Sequence, residues 1–272
     1  MKVAAAQTFV SADVAENGRT IRESIRQAAE RQVRLVLFCE GALSGYSKVQ
    51  VAAPSDWLRY DWAQLDRELA EIAATCKTCG IHAVVGSAHP VSERKHPTNS
   101  LVVISDQGLI TGRYDKRFLS NSEVNDWYMP GTDPLVVTID GFRFGCAICI
   151  EAAFPELFAE YERLGADAVL FASYGITQQF KTALQAHAYS NCCWIIASPP
   201  AQKAHKYPAF ICGPEGDPIT QAVQKNDDAF AVADLDREDP AYEVALARAR
   251  PWRAKAREGG IYRDKRKRSS DY

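Results

Sequence analysis

Short apolar runs alternate with amphipathic helical patterns along most of this 272-residue chain. The runs at 3–7 and 34–38 predict buried strands, and the pattern from 17 to about 32 between them predicts a helix. The second half repeats this order, because a predicted strand at 142–148 precedes another helical pattern. Together with hairpin signals such as Asp140-Gly141, the alternation predicts an α/β layered fold with mixed β-sheets.

No linker rich in Pro, Gly or Ser and no low-complexity stretch interrupts the alternation. A chain of this length can bury a large core without disulfides or metal ions. We therefore predict a single domain over residues 1–255, followed by a basic tail at 256–272. We interpret the tail as solvated, with binding of an anion or a partner as the alternative. Its basic residues include Arg263, Lys265, Arg266, Lys267 and Arg268.

The net charge and the cysteine content bear on the protein's binding partners, on its compartment and on metal binding. The formal net charge of −2 gives no general attraction to nucleic acid or to a membrane. The N-terminal apolar stretch is too short for a signal peptide, and no run of about twenty apolar residues occurs. We predict a cytoplasmic protein with eight reduced cysteines. Cys76 and Cys79 form a CxxC, but no second Cys or His pair has a zinc-like spacing, so no metal site is predicted.

Two charged residues follow predicted strands. Glu40 comes directly after the strand at 34–38, and functional groups gather at the carboxyl ends of strands in open α/β sheets. A carboxylate buried there can act as a general base with a raised pKa, and a loop or helix cap is the alternative. Lys116 follows the strand-like residues 109–112, where its charge can stabilise an oxyanion. An ordinary surface lysine is the alternative.

Cys149 lies where the predicted strand at 142–148 turns into a helix that begins near Pro155. The dipole and the free N–H groups of a helix N-terminus favour the thiolate form of an exposed cysteine, so a reactive thiolate is expected. The next backbone N–H, that of Ile150, can also bind an oxyanion. A cysteine that only fills the core is the alternative.

In this order, and with their flanking residues, the glutamate, the lysine and the cysteine resemble the nitrilase superfamily of carbon–nitrogen hydrolases. The resemblance extends from Val3 to about Arg253. The matching stretches are 38–46 (FCEGALSGY), 114–119 (YDKRFL) with Pro130-Gly131, 145–151 (GCAICIE) with Phe154-Pro155-Glu156, and 172–175 (ASYG) with the helix through Ala186 to Asn191.

The resemblance implies a four-layer α-β-β-α sandwich, a homodimer or higher homo-oligomer, and no metal or organic cofactor. It implies that Glu40 is the general base and Cys149 the nucleophile. Lys116 and the Ile150 N–H would stabilise the oxyanion. A second glutamate of the family lies between this lysine and the Pro-Gly pair, and Glu123 is the candidate in this chain. It would orient Lys116 and the substrate.

Departures from the family pattern bear on the substrate. Ala152 and Ala153 stand where relatives that act on carboxylate-bearing substrates often have arginine, so no guanidinium is available there for a carboxylate. We predict that a small neutral or cationic amide or carbamoyl compound is hydrolysed through a thioester, releasing ammonia or an amine. The predicted substrate contacts are Ile150, Glu151 and three aromatic residues, Tyr46, Trp127 and Tyr174, for which core or interface packing is the alternative.

Other functions use the same residues or different ones. Nitrile hydrolysis or acyl transfer to an amine would need the same three catalytic groups. A catalytically silent binding subunit would normally lack one of them, whereas all three are present. A papain-like Cys–His protease would pair Cys149 with His187 or His205, but no CGxCW-type signature surrounds this cysteine.

Overall fold

In the computed structural model, which describes residues 1–92 and 94–266, the strands form two six-stranded mixed sheets. The strands are β1 (Lys2–Gln7), β2 (Leu35–Leu37), β3 (His82–His89), β4 (Thr98–Ile104), β5 (Ile110–Asp115), β6 (Val136–Ile139), β7 (Phe142–Ile148), β8 (Ala168–Ala172), β9 (Trp194–Ser198), β10 (Phe210–Cys212), β11 (Pro218–Gln221) and β12 (Ala229–Asp234). The α-helices are α1 (Val14–Glu30), α2 (Trp62–Cys79), α3 (Pro155–Arg163), α4 (Gln178–Asn191) and α5 (Arg250–Arg257).

The first sheet has the order β12-β1-β2-β3-β4-β5, and the second has the order β11-β10-β9-β8-β7-β6. In the first sheet β1, β2 and β3 are parallel, while β4 is antiparallel to both β3 and β5, so β2 and β5 point the same way. In the second sheet β7, β8 and β9 are parallel. The carboxyl ends of β2 and β5 therefore lie at the same end of the first sheet. Those of β7 and β8 lie at the same end of the second sheet.

The two sheets pack face to face, and helices cover their outer faces. Leu35 and Leu37 of β2 belong to the core between the sheets, with Phe144 and Leu170 of the second sheet. Val36, between the two leucines, instead packs in the core under α1 and α2, because successive side chains of a strand point to opposite faces. A third core lies between the second sheet and helices α3 and α4. The predicted α-β-β-α sandwich is confirmed.

The helix ends follow their capping residues. α1 begins at Val14, earlier than the predicted start at 17, because the Asp13 carboxylate accepts a hydrogen bond from the Ala15 N–H at 2.8 Å and caps the helix. α2 ends at Cys79, and Gly80 follows in the left-handed conformation with φ of 63°. Glycine is the residue that most readily adopts this conformation after the last turn of a helix.

The C-terminal part of the chain contains a helix that the sequence pattern does not indicate. α5 crosses the predicted boundary at residue 255, and arginines rather than apolar side chains attach it to the end of α4. Arg257 donates to the Ser190 carbonyl at 2.8 Å and to Glu162 at 2.8 Å. Of the predicted basic run, Arg263 and Lys265 lie in the 3-10 turn Gly260–Lys265, whereas Lys267 and Arg268 lie outside the described residues.

Two further findings concern membranes and metals. Over residues 1–92 and 94–266, no helix combines the length and the apolar character that crossing a membrane requires. Within the same residues, no group of three or more His, Cys, Asp or Glu side chains is arranged to hold a metal ion. All eight cysteines are free thiols.

Candidate active site

Glu40 lies three residues beyond β2 and is fully buried. Its Oε1 accepts hydrogen bonds from Asn99 Nδ2 at 2.7 Å and from Lys116 Nζ at 3.1 Å, and its Oε2 accepts the Tyr174 N–H at 2.9 Å. Three donors thus hold a carboxylate in a fixed orientation, as an ionised group requires when it is buried. Asn99 is a site residue that the motifs do not reveal. The signal for it was the polar run Thr98-Asn99-Ser100 inside a buried strand.

Lys116 follows β5 directly, and its side chain has no exposed surface. Its Nζ donates to Glu123 Oε1 at 2.7 Å as well as to Glu40. Burial disfavours the charged amine, but Glu40, Cys149 and Glu123 outweigh this effect and raise the pKa of Lys116 well above its usual value. Lys116 is therefore a permanent cation shared by two glutamates, and the predicted pairing of Glu123 with Lys116 is present.

The Pro-Gly pair of the motif fixes the backbone of the lysine. The Gly131 N–H donates to the Lys116 carbonyl at 2.9 Å. A Cβ atom on Gly131 would come within 2.2 Å of the Asp115 carbonyl oxygen, so only glycine allows this close approach.

Cys149 follows β7 and opens the 3-10 turn Cys149–Ala153 with a positive φ of 53°. The residue is partly exposed. Desolvation of the thiol and the charge of Glu40 raise the pKa of Cys149 to about 12, against the opposing charge of Lys116. The expectation of a favoured thiolate is therefore wrong, because burial and the nearby carboxylate outweigh the turn and Lys116. A neutral thiol needs a base at the moment of attack, and Glu40 is close enough for its charge to act on the thiol.

The N–H of Ile150 is the second of the 3-10 turn, and the first N–H groups of a helical turn have no intrahelical acceptor. Ile150 is also partly exposed. The Ile150 N–H thus has no acceptor within the turn, and its binding of an oxyanion stays a prediction.

Glu151 is fully buried and receives hydrogen bonds from four protein donors. Its Oε1 accepts from the Tyr114 hydroxyl at 2.8 Å and from the backbone N–H groups of Arg117 and Phe118 at 2.8 and 3.0 Å. Its Oε2 accepts the Ile148 N–H at 2.7 Å. All four of these donors belong to the protein, and the predicted contact of Glu151 with substrate stays a prediction. Glu151 joins the backbone around the lysine to the end of β7, the strand that leads into the cysteine.

Aromatic residues flank the catalytic groups. Tyr46 and Tyr174 stack with ring centroids 4.2 Å apart, and the charge of Glu40 is the largest cause of the raised pKa of Tyr46. Trp127 packs in a buried aromatic cluster with Tyr128, so its role as a pocket wall stays a prediction. Burial raises the pKa of Tyr128, a residue that the motifs do not reveal, and the nearby charges of Glu40 and Glu123 add to this effect.

Comparison with known proteins decides the family. Residues 2–241 match the sequence profile of the family described as "Carbon-nitrogen hydrolase". This chain belongs to that family. It is a carbon–nitrogen hydrolase of the nitrilase superfamily, as the resemblance of its motifs predicts.

Individual relatives of this hydrolase are distant. The nitrilase and fragile histidine triad fusion protein NitFhit of Caenorhabditis elegans is 24% identical over 269 residues, covering 89% of this chain and 58% of the relative. A deaminated glutathione amidase of Synechocystis sp. is 32% identical over 160 residues, covering 51% of this chain and 58% of the relative. The match thus spans less than two thirds of both relatives.

Solved structures share the fold. The NitN amidase of Nesterenkonia sp. is 20% identical, with a TM-score of 0.76 and coverage of 94% of this chain and 99% of the amidase. A variant structure of the same amidase has the acetamide moiety of fluoroacetamide covalently added at its active-site cysteine.

The histidines of the rival Cys–His interpretation have other partners in this hydrolase. His187 Nε2 lies 2.9 Å from the Ala152 carbonyl oxygen. His205 is exposed, and its Nδ1 lies 2.9 Å from Asn226 Oδ1. Both histidines are thus engaged with other protein groups, whereas the charge of Glu40 acts on the Cys149 thiol.

Substitution of Glu151 by glutamine tests its structural role. An amide offers only one acceptor oxygen, so its NH₂ group would face at least one N–H donor in either orientation. We expect Glu151→Gln to lower the free energy of unfolding by about 2 kcal/mol, measured by urea denaturation. Glu156→Gln, an exposed site in the first turn of α3, should change it by less than about 0.5 kcal/mol. Equal unfolding midpoints for both variants would contradict the role.

The charge of Glu123 should make part of the stability depend on pH. Burial disfavours its ionisation, but the charge and hydrogen bond of Lys116 prevail and lower the pKa of Glu123 below 4.5. A lowered carboxyl pKa contributes stability above the unfolded value, and this contribution is lost as the pH falls through the folded value. Glu123→Gln should therefore unfold several degrees below the wild type at pH 7, and the difference should shrink below pH 4. A difference in melting temperature that is the same at both pH values would exclude this linkage.

Proposed function

We propose that this hydrolase cleaves an amide or carbamoyl bond of a small molecule, with Cys149 as the nucleophile. The observation that carries the proposal is a single buried ammonium group, Lys116 Nζ, held 3.1 Å from Glu40 and 2.7 Å from Glu123 beside a cysteine thiol. A base, a fixed cation and a nucleophile, close enough for the charges of the first two to act on the thiol, are the set that acyl transfer requires.

The first half of the reaction forms a thioester. Glu40 takes the proton of the Cys149 thiol while the sulfur bonds to the carbonyl carbon of the substrate. Lys116 Nζ and the Ile150 N–H hold the oxyanion of the tetrahedral intermediate. When the intermediate collapses, the carbon–nitrogen bond breaks, and Glu40 gives the proton to the departing ammonia or amine.

The second half of the reaction consumes water. Glu40 removes a proton from a water molecule, whose oxygen bonds to the thioester carbon. The second tetrahedral intermediate releases the carboxylic acid as the carbon–sulfur bond breaks, and Cys149 recovers the proton from Glu40. Glu40 can serve in both steps because its Oε2, unlike its Oε1, has a single protein donor, the N–H of Tyr174. An acceptor position on that oxygen stays open.

The charge of the site favours neutral or cationic substrates. The buried catalytic set contains two glutamates and one lysine, so a carboxylate close to it would meet like charge. Arg117, the arginine next to the catalytic lysine, already pairs with Glu160 at 2.6 Å. The deaminated glutathione amidase relatives support an amide as the bond cleaved. A cytoplasmic location and a homodimeric assembly are further parts of this proposal.

Three amides of similar size and different charge test the substrate class: butyramide, β-alaninamide and succinamic acid. We expect kcat/KM for ammonia release to be at least about tenfold higher for the neutral or the cationic amide than for the anionic one. A preference for succinamic acid would contradict the charge argument. Butyronitrile and added hydroxylamine, in parallel assays, report nitrile hydrolysis and acyl transfer.

A further inference from the structure

The turn that begins at Cys149 needs support from outside itself. Cys149 has a positive φ of 53°, a conformation that residues other than glycine adopt only when their surroundings hold them. Glu151 holds one side of the turn, through its hydrogen bonds to the end of β7 and to the backbone beside Lys116. The opposite side of the turn faces helix α4.

On that side a histidine of α4 reaches the backbone of the turn. His187 is buried, with 8% of its surface exposed, and its Nε2 lies 2.9 Å from the carbonyl oxygen of Ala152. A carbonyl oxygen only accepts hydrogen bonds, so Nε2 must carry the proton and act as the donor. Ala152 is itself 1% exposed, and its carbonyl therefore needs a protein partner.

The imidazole ring is held in this orientation by its own neighbours. It stacks on Phe158 of α3, with ring centroids 4.0 Å apart and an interplanar angle of 12°. The side chain of Asn191, one turn further along α4, donates to the backbone carbonyl of His187 at 2.9 Å and so fixes the helix backbone from which the ring extends. Packing between α3 and α4 thus places the Nε2–H group against the Ala152 carbonyl oxygen.

We propose that His187 is a positioning residue that holds the nucleophile turn in its reactive geometry through the Ala152 carbonyl. The inference rests on the proposed function of Cys149. Ala152 is two residues from the Ile150 N–H and three from the thiol, within one short 3-10 turn. Without the donor, the turn can reach a partner for the Ala152 carbonyl only by rotating. Rotation moves the oxyanion donor and the thiol away from Lys116.

Two substitutions separate the hydrogen bond from the stacking. His187→Gln places an amide donor near the position of the imidazole Nε2, but loses the ring. His187→Phe keeps a flat ring on Phe158, but loses the donor. If the hydrogen bond positions the turn, the phenylalanine variant should lose kcat on the order of tenfold with little change in KM, and the glutamine variant should stay within about threefold of the wild type.

The rate of alkylation of Cys149 by iodoacetamide, followed by peptide mass spectrometry, gives a second readout that needs no substrate. It should fall in the phenylalanine variant and recover in the glutamine variant, whereas a purely structural role would change only the melting temperature. If the phenylalanine variant does not fold, His187→Asn replaces it, because its shorter amide lies near the Nδ1 position and should behave as donor-free.

Two results would overturn the inference: wild-type kcat and alkylation rate in the donor-free variant, or equal losses in the donor-free and glutamine variants. Failure of the proposed function looks different. It would appear as continued ammonia release by Cys149→Ala, whereas failure of the inference leaves that variant inactive.

Discussion

Cys149→Ala is expected to abolish ammonia release from the preferred amide, with a loss of on the order of 10⁴-fold or more in kcat. The thiol supplies the bond that forms the thioester, and neither Glu40 nor Lys116 can replace it, because the two are engaged with each other at 3.1 Å. The fold should persist, because Cys149 is partly exposed and alanine removes only one sulfur atom. Steady-state ammonia assays and circular dichroism measure the two effects.

Cys146→Ala is the matched control. Cys146 lies on β7, three residues before Cys149, and is fully buried in the core between the sheets. Its loss should lower the stability slightly and leave kcat unchanged. Comparable turnover by Cys149→Ala and Cys146→Ala would show that the nucleophile lies elsewhere.

Replacement of Lys116 by methionine is expected to reduce both activity and stability. Loss of an oxyanion-stabilising charge typically costs about 10²- to 10³-fold in kcat. The substitution also leaves two buried carboxylates, Glu40 and Glu123, without their shared cation. Removal of one partner from a buried ion pair costs about 3–5 kcal/mol in the free energy of unfolding. Urea denaturation and steady-state kinetics test these two losses.

The double variant Lys116→Met with Glu123→Gln separates the two roles of the lysine. Removal of one uncompensated carboxylate should restore part of the stability lost by the single variant. Activity should remain low, because the cation that stabilises the oxyanion is still absent. Restored turnover in the double variant would mean that the lysine acts only through stability.

The sequence predicts most of the fold because strand and helix periods are local properties. β7 has the bounds predicted from its pattern alone, residues 142–148. β11 and α5 were missed for physical reasons. β11 is a short edge strand of exposed residues with proline at its start, and α5 buries no apolar residue, so neither carries a periodic apolar signal.

The proposed catalytic residues were predictable because they follow strands whose carboxyl ends lie on the same side of their sheets. Of their partners, Asn99 has a local signal in the polar run 98–100, whereas Tyr128 and His187 reach the site only through tertiary packing. The state of the Cys149 thiol was mispredicted for a related reason. Its pKa depends on burial and on the distance to Glu40, neither of which is a property of the local sequence.

Acid-quenched mass spectrometry of the Glu40→Gln variant during turnover of the preferred amide tests the central claim most directly. Loss of the base should slow hydrolysis of the thioester, and the acyl half of the substrate should then be found on the peptide that contains Cys149. Formation of the acid product while Cys149 stays unmodified, or an acyl group on another residue, would contradict the proposed mechanism.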